Sequence, residues 1–115
     1  MFQPHRYSRT LTFLTEFSQA FSDADCVIVT DVYSAGEAKP ADMKGGDVAA
    51  AIAEHHATVS YQATLADVTA HLTSTLNPGD LVVFLGAGDL NRIIPDVLSH
   101  LQSETTPDLA EVALR

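Results

Sequence analysis

The sequence predicts an α/β fold: a three-layer, Rossmann-like domain built on a mostly parallel sheet. Two observations predict it. Segments with apolar residues at helical spacing alternate with short β-branched apolar runs from one end of the chain to the other. Two of those runs, Cys26 to Thr30 and Leu81 to Leu85, have the continuous apolar character of strands covered on both faces, the mark of a parallel sheet with helices on each side. Only three strands are visible, fewer than open parallel sheets usually hold. The chain also opens on a loop entering a helix, as if a strand had just ended. The expectation is a sheet whose first strand is missing, and a chain that is a piece of a larger protein.

The elements follow in order. From Arg9 to Phe21, the residues Leu11, Phe13, Leu14, Phe17 and Phe21 form one helical stripe, with Ser8 or Thr10 available as a cap. Asp23-Ala24-Asp25 interrupts it, and Cys26 to Thr30 reads as a buried strand. Cys26 opens that strand and is expected to be a small core residue. Asp31 to Gly46 is a long polar loop, of a length that is usually functional or mobile in a small domain. A helix resumes near Asp47, and Thr58 to Tyr61 is a short strand.

Thr64-Leu65-Ala66-Asp67 resembles a capping signature, with Asp in the place of the usual Glu or Gln, and opens a helix through Leu76. Asn77-Pro78-Gly79-Asp80 is a turn. Leu81 to Leu85 reads as another buried strand, ended by Gly86-Ala87-Gly88. Asp89 can cap a last helix, in which Pro95 predicts either a kink or an irregular first turn. Residues 1–102 are assigned to the domain, and residues 103–115 to a polar C-terminal tail.

Composition bounds the function. The 115 residues suit one domain, and 46% hydrophobic content suits one core without disulfides. A net charge of −9 argues against a nucleic-acid partner, whose binding runs on Lys and Arg neutralising phosphates. No apolar run reaches the roughly 18 residues of a membrane span, and no signal peptide is evident, so a cytoplasmic protein without a membrane partner is expected. The single cysteine and the adjacent His55 and His56 suggest no metal site.

Three segments could carry chemistry. The first is His5-Arg6-Tyr7-Ser8-Arg9-Thr10, at the entrance to a helix. Arg6 and Arg9, three residues apart, could clamp a carboxylate or phosphate with paired hydrogen bonds, or could simply be surface arginines on an acidic protein. The second is Asp31-Val32-Tyr33-Ser34-Ala35-Gly36-Glu37, just beyond a strand, where ligands of open parallel sheets bind. There Tyr33 could stack on a ligand and Glu37 could orient an amine or bind a cation, or the segment is an ordinary surface loop. The third is Gly86-Ala87-Gly88-Asp89, whose glycines allow close backbone approach to an anion, or a tight strand-to-helix turn and nothing more. It is only a fragment of a dinucleotide fingerprint, and the chain holds no Gly-x-x-x-x-Gly-Lys-Ser/Thr loop for a nucleoside triphosphate.

Phe2-Gln3-Pro4-His5-Arg6-Tyr7-Ser8-Arg9-Thr10, the Asp31–Glu37 segment and Gly86-Ala87-Gly88-Asp89, in this order and spacing, resemble the C-terminal domain of the Mur ligases of peptidoglycan synthesis. The His-Arg-Tyr-Ser-Arg string resembles those members that join the first amino acid, L-alanine, to UDP-N-acetylmuramate. The resemblance covers roughly the first hundred residues. It implies an ATP-dependent amide-forming reaction through an acyl phosphate, with ATP and Mg2+ bound mainly by a central domain and the UDP-sugar by an N-terminal one. It implies His5, Arg6 and Arg9 as catalytic residues facing the inter-domain cleft. It implies Arg6, Arg9, Tyr33, Glu37, Gly86, Ala87 and Gly88 as substrate-binding residues, the arginines and glycines toward the amino-acid carboxylate or a phosphoryl oxygen.

The family's Asp-Tyr-Gly-His-His-Pro segment and its other two domains are absent from this sequence. The isolated chain is therefore expected to bind no cofactor and to be inactive alone. The alternatives are a free-standing module for a small anion or nucleotide, and a related ligase with another amino-acid or peptide substrate.

Overall fold

The structure, a computed structural model, describes residues 1–104. Its elements are α1 (Tyr7–Thr12), α2 (Leu14–Ser18), β1 (Val27–Val29), α3 (Asp47–Ala53), β2 (Val59–Tyr61), α4 (Leu65–Thr75), a 3₁₀ helix (Leu90–Ile93) and α5 (Ile94–Glu104). The fold is α/β, on a small open parallel sheet.

β1 and β2 pair in parallel, with Val27 opposite Val59 and Val29 opposite Tyr61. The N-terminal residues extend this sheet. Phe2 makes parallel bridges to both Val29 and Leu85. Its N–H donates to the Ile28 carbonyl at 2.8 Å, and the Gln3 N–H donates to the Leu85 carbonyl at 2.9 Å. The lateral order is therefore β2, β1, residues 1–3, then the segment ending at Leu85.

Alternation along these strands sorts the side chains onto two faces. Phe2, Val27 and Val29 join Met43, Val48 and Ile52 in one core, beneath α1, α2 and α3. Phe2 rests against Phe17 and Phe21, with ring centroids 5.3 and 5.2 Å away. Ile28, Val82 and Phe84 join a second core on the opposite face, formed by Val68 and Leu72 of α4, Leu90 and Ile93 of the 3₁₀ helix and Val97 of α5. These are the three layers expected of the fold class.

α4 starts as its sequence dictates. Thr64 Oγ1 accepts from the Asp67 N–H at 3.1 Å, and Asp67 returns a bond to the Thr64 N–H at 3.3 Å. At the other end of the chain the 3₁₀ helix precedes α5, which places Pro95 one residue inside the regular helix, where its missing N–H costs nothing.

Several expectations are corrected. The first helix begins at Tyr7 rather than Arg9 and breaks at Phe13 (φ −108°, ψ 20°). No glycine or proline marks that break, but Thr10, Thr12 and Thr15 are weak helix formers. Neither Ser8 nor Thr10 caps α1: both lie inside it, and Thr10 Oγ1 donates back to the Arg6 carbonyl at 2.7 Å.

Leu81 to Leu85 is not a buried strand. Val82 and Phe84 point into the second core, while Leu81 is 87% exposed and Val83 54%. A continuous apolar run looks the same whether both of its faces are covered or only one. Cys26 is exposed because the paired strand starts one residue later. α5 continues through Glu104, and the rest of the proposed tail, residues 105–115, lies outside the described residues.

Candidate functional site

The site grows from the point where the sheet runs out. The Tyr33 N–H donates to the Pro4 carbonyl at 2.8 Å, and the Arg6 N–H donates to the Tyr33 carbonyl at 2.8 Å. A parallel bridge between His5 and Tyr33 thus carries the ladder past the end of β1. The His5 ring lies nearly parallel to the Tyr33 ring, 12° between planes and 5.7 Å between centroids. His5 Nδ1 is buried and has no hydrogen-bond partner among the described residues.

Arg6 then turns the backbone into α1. It does so at φ 66°, ψ 138°, on the left-handed side of backbone space. Such a conformation costs a residue with a side chain on the order of 1–3 kcal/mol. The turn leaves Arg6 outside the helix, as its N-cap, and exposed. Arg9, also exposed, lies in α1 three residues on.

Glu37 closes the Asp31–Glu37 loop onto that helix. Its Oε2 accepts from Ser8 Oγ at 2.6 Å and its Oε1 from the Ser8 N–H at 3.1 Å. The loop reaches back through a turn in which Ala35 and Gly36 both take positive φ, 50° and 89°. The Ser8 hydroxyl, then the Ser8 N–H, hold the Glu37 carboxyl below the ordinary carboxylate range, with smaller help from the Tyr7 N–H and the Arg6 charge. The first turn of α1 thus already has an anion, supplied by the protein itself.

The glycine turn meets this group from the other side. A Cβ on Gly88 would fall within 2.7 Å of Cδ1 and Cδ2 of Tyr33, so only glycine lets the turn settle on that ring. A Cβ on Gly86 would lie 3.2 Å from the Gln3 side chain and from Leu90. The close approach that the glycines allow is to Tyr33 and Gln3. Ala87 is exposed between them.

The structure therefore brings His5, Arg6, Tyr33, Gly86 and Gly88 to one rim, beyond the carboxyl ends of the strands, where open parallel sheets bind ligands. Glu37 is joined to the rim through Ser8.

Two pairs escaped the sequence reading. Gln3 Nε2 donates to Asp89 Oδ1 at 2.8 Å, across 86 residues of sequence. The Tyr61 hydroxyl donates to Asp31 Oδ1, and Gly45 leaves room for both groups. Asp31 and Gly45 help line a cavity of about 180 Å³, together with Tyr7, Val32, Lys39, Met43 and Lys44. Neither pair has a local motif: its partners lie 86 and 30 residues apart in sequence. Among the described residues, no group of three or more His, Cys, Asp or Glu side chains is placed to hold a metal ion, and no helix is long and apolar enough to cross a membrane.

A Rossmann-like α/β domain with Arg6 and a glycine turn beyond its strand ends is the class that this geometry defines. No family model matches the chain. It is, however, 56% identical over all its 115 residues to UDP-N-acetylmuramate–L-alanine ligase of Acaryochloris marina, of which it covers 23%. It is 54% identical over 112 residues to the ligase of that name from Cyanothece sp., again 23% of the relative, and 56% identical over 99 residues to that of Nostoc punctiforme. Over its whole length the chain is homologous to the C-terminal domain of proteins named UDP-N-acetylmuramate–L-alanine ligase, and it spans about 23% of the length of the first two of these relatives.

Proposed function

We propose that this domain closes the active site of a cytoplasmic ATP-dependent ligase that joins L-alanine to UDP-N-acetylmuramate in peptidoglycan synthesis. Arg6 and Arg9 would grip the alanine carboxylate, or a phosphoryl oxygen beside it, with the charge-assisted, paired bonds that guanidinium groups make. His5 would face the same cleft. The Gly86–Gly88 backbone would line it, held at its height by Tyr33. The part of Glu37 would be to fasten the loop to α1, since both of its oxygens accept from Ser8.

ATP and Mg2+, which activate the muramate carboxylate as an acyl phosphate, would be held mainly by a central domain, and the UDP-sugar by an N-terminal one. This chain lacks the phosphate-binding loop sequence such a central domain needs. The 115 residues alone should therefore form no amide.

The observation that carries this reading is the direct chain of contact from Arg6 through Tyr33 to Gly88: a 2.8 Å backbone hydrogen bond on one side and an aromatic ring against glycine on the other. It joins two segments that lie far apart in sequence.

The test uses a ligase of the relatives' length that carries this domain. Arg6→Ala and Arg9→Ala should each lower kcat/KM for L-alanine by roughly a hundredfold, the scale of losing one preorganised charged contact, with an unchanged melting temperature. Wild-type kinetics in both variants would defeat the reading. Tight nucleotide binding by the isolated chain would favour a free-standing module instead.

A further inference from the structure

The Gln3 side chain is 95% hidden, at 5% exposure, yet it belongs to no apolar cluster. It passes beneath the glycine turn. Its Cβ and Oε1 would both sit 3.2 Å from a Cβ on Gly86. Its Nε2 donates to Asp89 Oδ1 at 2.8 Å, at the far end of the turn. An ionised carboxylate only accepts, so Asp89 decides which end of the amide faces it. Oε1 is thereby left buried with no hydrogen-bond partner among the described residues. An orphaned buried acceptor is costly. A bond kept at that cost is a sign that the geometry it enforces matters nearby.

The backbone agrees. The Gln3 N–H holds the Leu85 carbonyl, the last group before the turn, at 2.9 Å. Main chain and side chain of one residue thus grip both ends of Gly86-Ala87-Gly88. Asp89 is the N-cap of the 3₁₀ helix, but makes no capping bond there with its side chain. Its carboxylate is spent on Gln3.

We propose that Gln3 and Asp89 are positioning residues, whose hydrogen bond braces the Gly86–Gly88 turn against Tyr33 so that its backbone meets the carboxylate of the incoming amino acid. The proposal rests on the ligase reading given above. Neither residue touches the substrate.

The experiment compares wild type with Gln3→Glu, Asp89→Asn and the double variant. Two readouts are used: amide hydrogen exchange of Gly86 to Leu90 in this chain, and KM against kcat for L-alanine in the ligase carrying the domain. Gln3→Glu sets one carboxylate against another. Exchange across the turn should quicken and KM for L-alanine should rise about tenfold, the reach of one ordinary hydrogen bond, while KM for ATP stays unchanged. Asp89→Asn keeps an acceptor for Nε2 and should stay near wild type. In the double variant the new amide donates to the new carboxylate, and both readouts should return most of the way.

A double variant no better than Gln3→Glu would overturn the brace. Restored exchange without restored KM would reduce it to a structural link and overturn the positioning role. Should Gln3→Glu fail to fold, Asp89→Ala, at a half-buried position, carries the same expectation on both readouts. Arg6→Ala is the control for the underlying reading. If it leaves KM for L-alanine unchanged while Gln3→Glu raises it, the arginine clamp fails and the brace stands.

Discussion

Gly88 rests on the ring of Tyr33 so closely that no side chain could be added to it without moving the ring. Tyr33 in turn lies nearly parallel to His5, and its carbonyl holds Arg6. One aromatic residue in a polar loop thereby sets the distance between the arginine-bearing helix and the glycine turn.

Gly88→Ala should therefore cost stability in proportion to what Tyr33 must give up. A drop of about 1–3 kcal/mol is expected, the usual cost of overpacking. In a Tyr33→Ala background the same substitution should be nearly neutral, because the atoms it strikes are gone. Chemical denaturation of the four proteins measures the coupling, and additive losses would contradict the contact.

Glu37 gives a pH signature. Its carboxyl is held low by Ser8, so the folded form keeps the charge to a lower pH than the unfolded chain. The stabilisation is fully present above the ordinary Glu range, near pH 4.3, and is lost as pH falls through the depressed folded value. Melting temperatures of wild type and Glu37→Gln should differ at neutral pH and converge in acid. Ser8→Ala should shrink the difference at neutral pH.

Tyr61 titrates at the other extreme. Partial burial, then the hydrogen bond and charge of Asp31, push its hydroxyl up to about 12. A raised value means that the contribution is intact below about pH 10, where a free tyrosine titrates, and disappears as pH climbs through the folded value. Ultraviolet titration should show Tyr61 ionising late, and Asp31→Asn should bring it earlier.

Arg6 offers a test of strain. At φ 66° the position favours glycine. Arg6→Gly should be more stable than Arg6→Ala by about 1 kcal/mol, while both lose the guanidinium equally. Denaturation midpoints decide this, and equal midpoints would mean that the backbone relaxes there.

The local grammar of the chain was legible. Thr64 and Asp67 announced a capping box that the structure contains. Asn77 to Asp80 announced a turn, closed by a 3.1 Å bond from the Asp80 N–H to the Asn77 carbonyl. What escaped was set by partners distant in sequence. Ser8 reads as a cap until Glu37, 29 residues on, takes both of its donors. Leu81, Val83 and Leu85 read as core because hydropathy records a side chain's character and not which neighbours cover it. Asp89 reads as a helix cap until the fold brings Gln3 to its carboxylate.

The two cores have a consequence for the rim. Tyr7 and Val32 tie its arginine side to one core, whereas Leu90 ties its glycine side to the other, with the sheet as partition between them. The rim is a seam between independently seated halves, so a loosening on either side of the partition misaligns it while the opposite half stays intact. Local opening should therefore erase the grip before either half melts, and a small acid held across the seam would act as a stitch, slowing the fluctuations of both halves together.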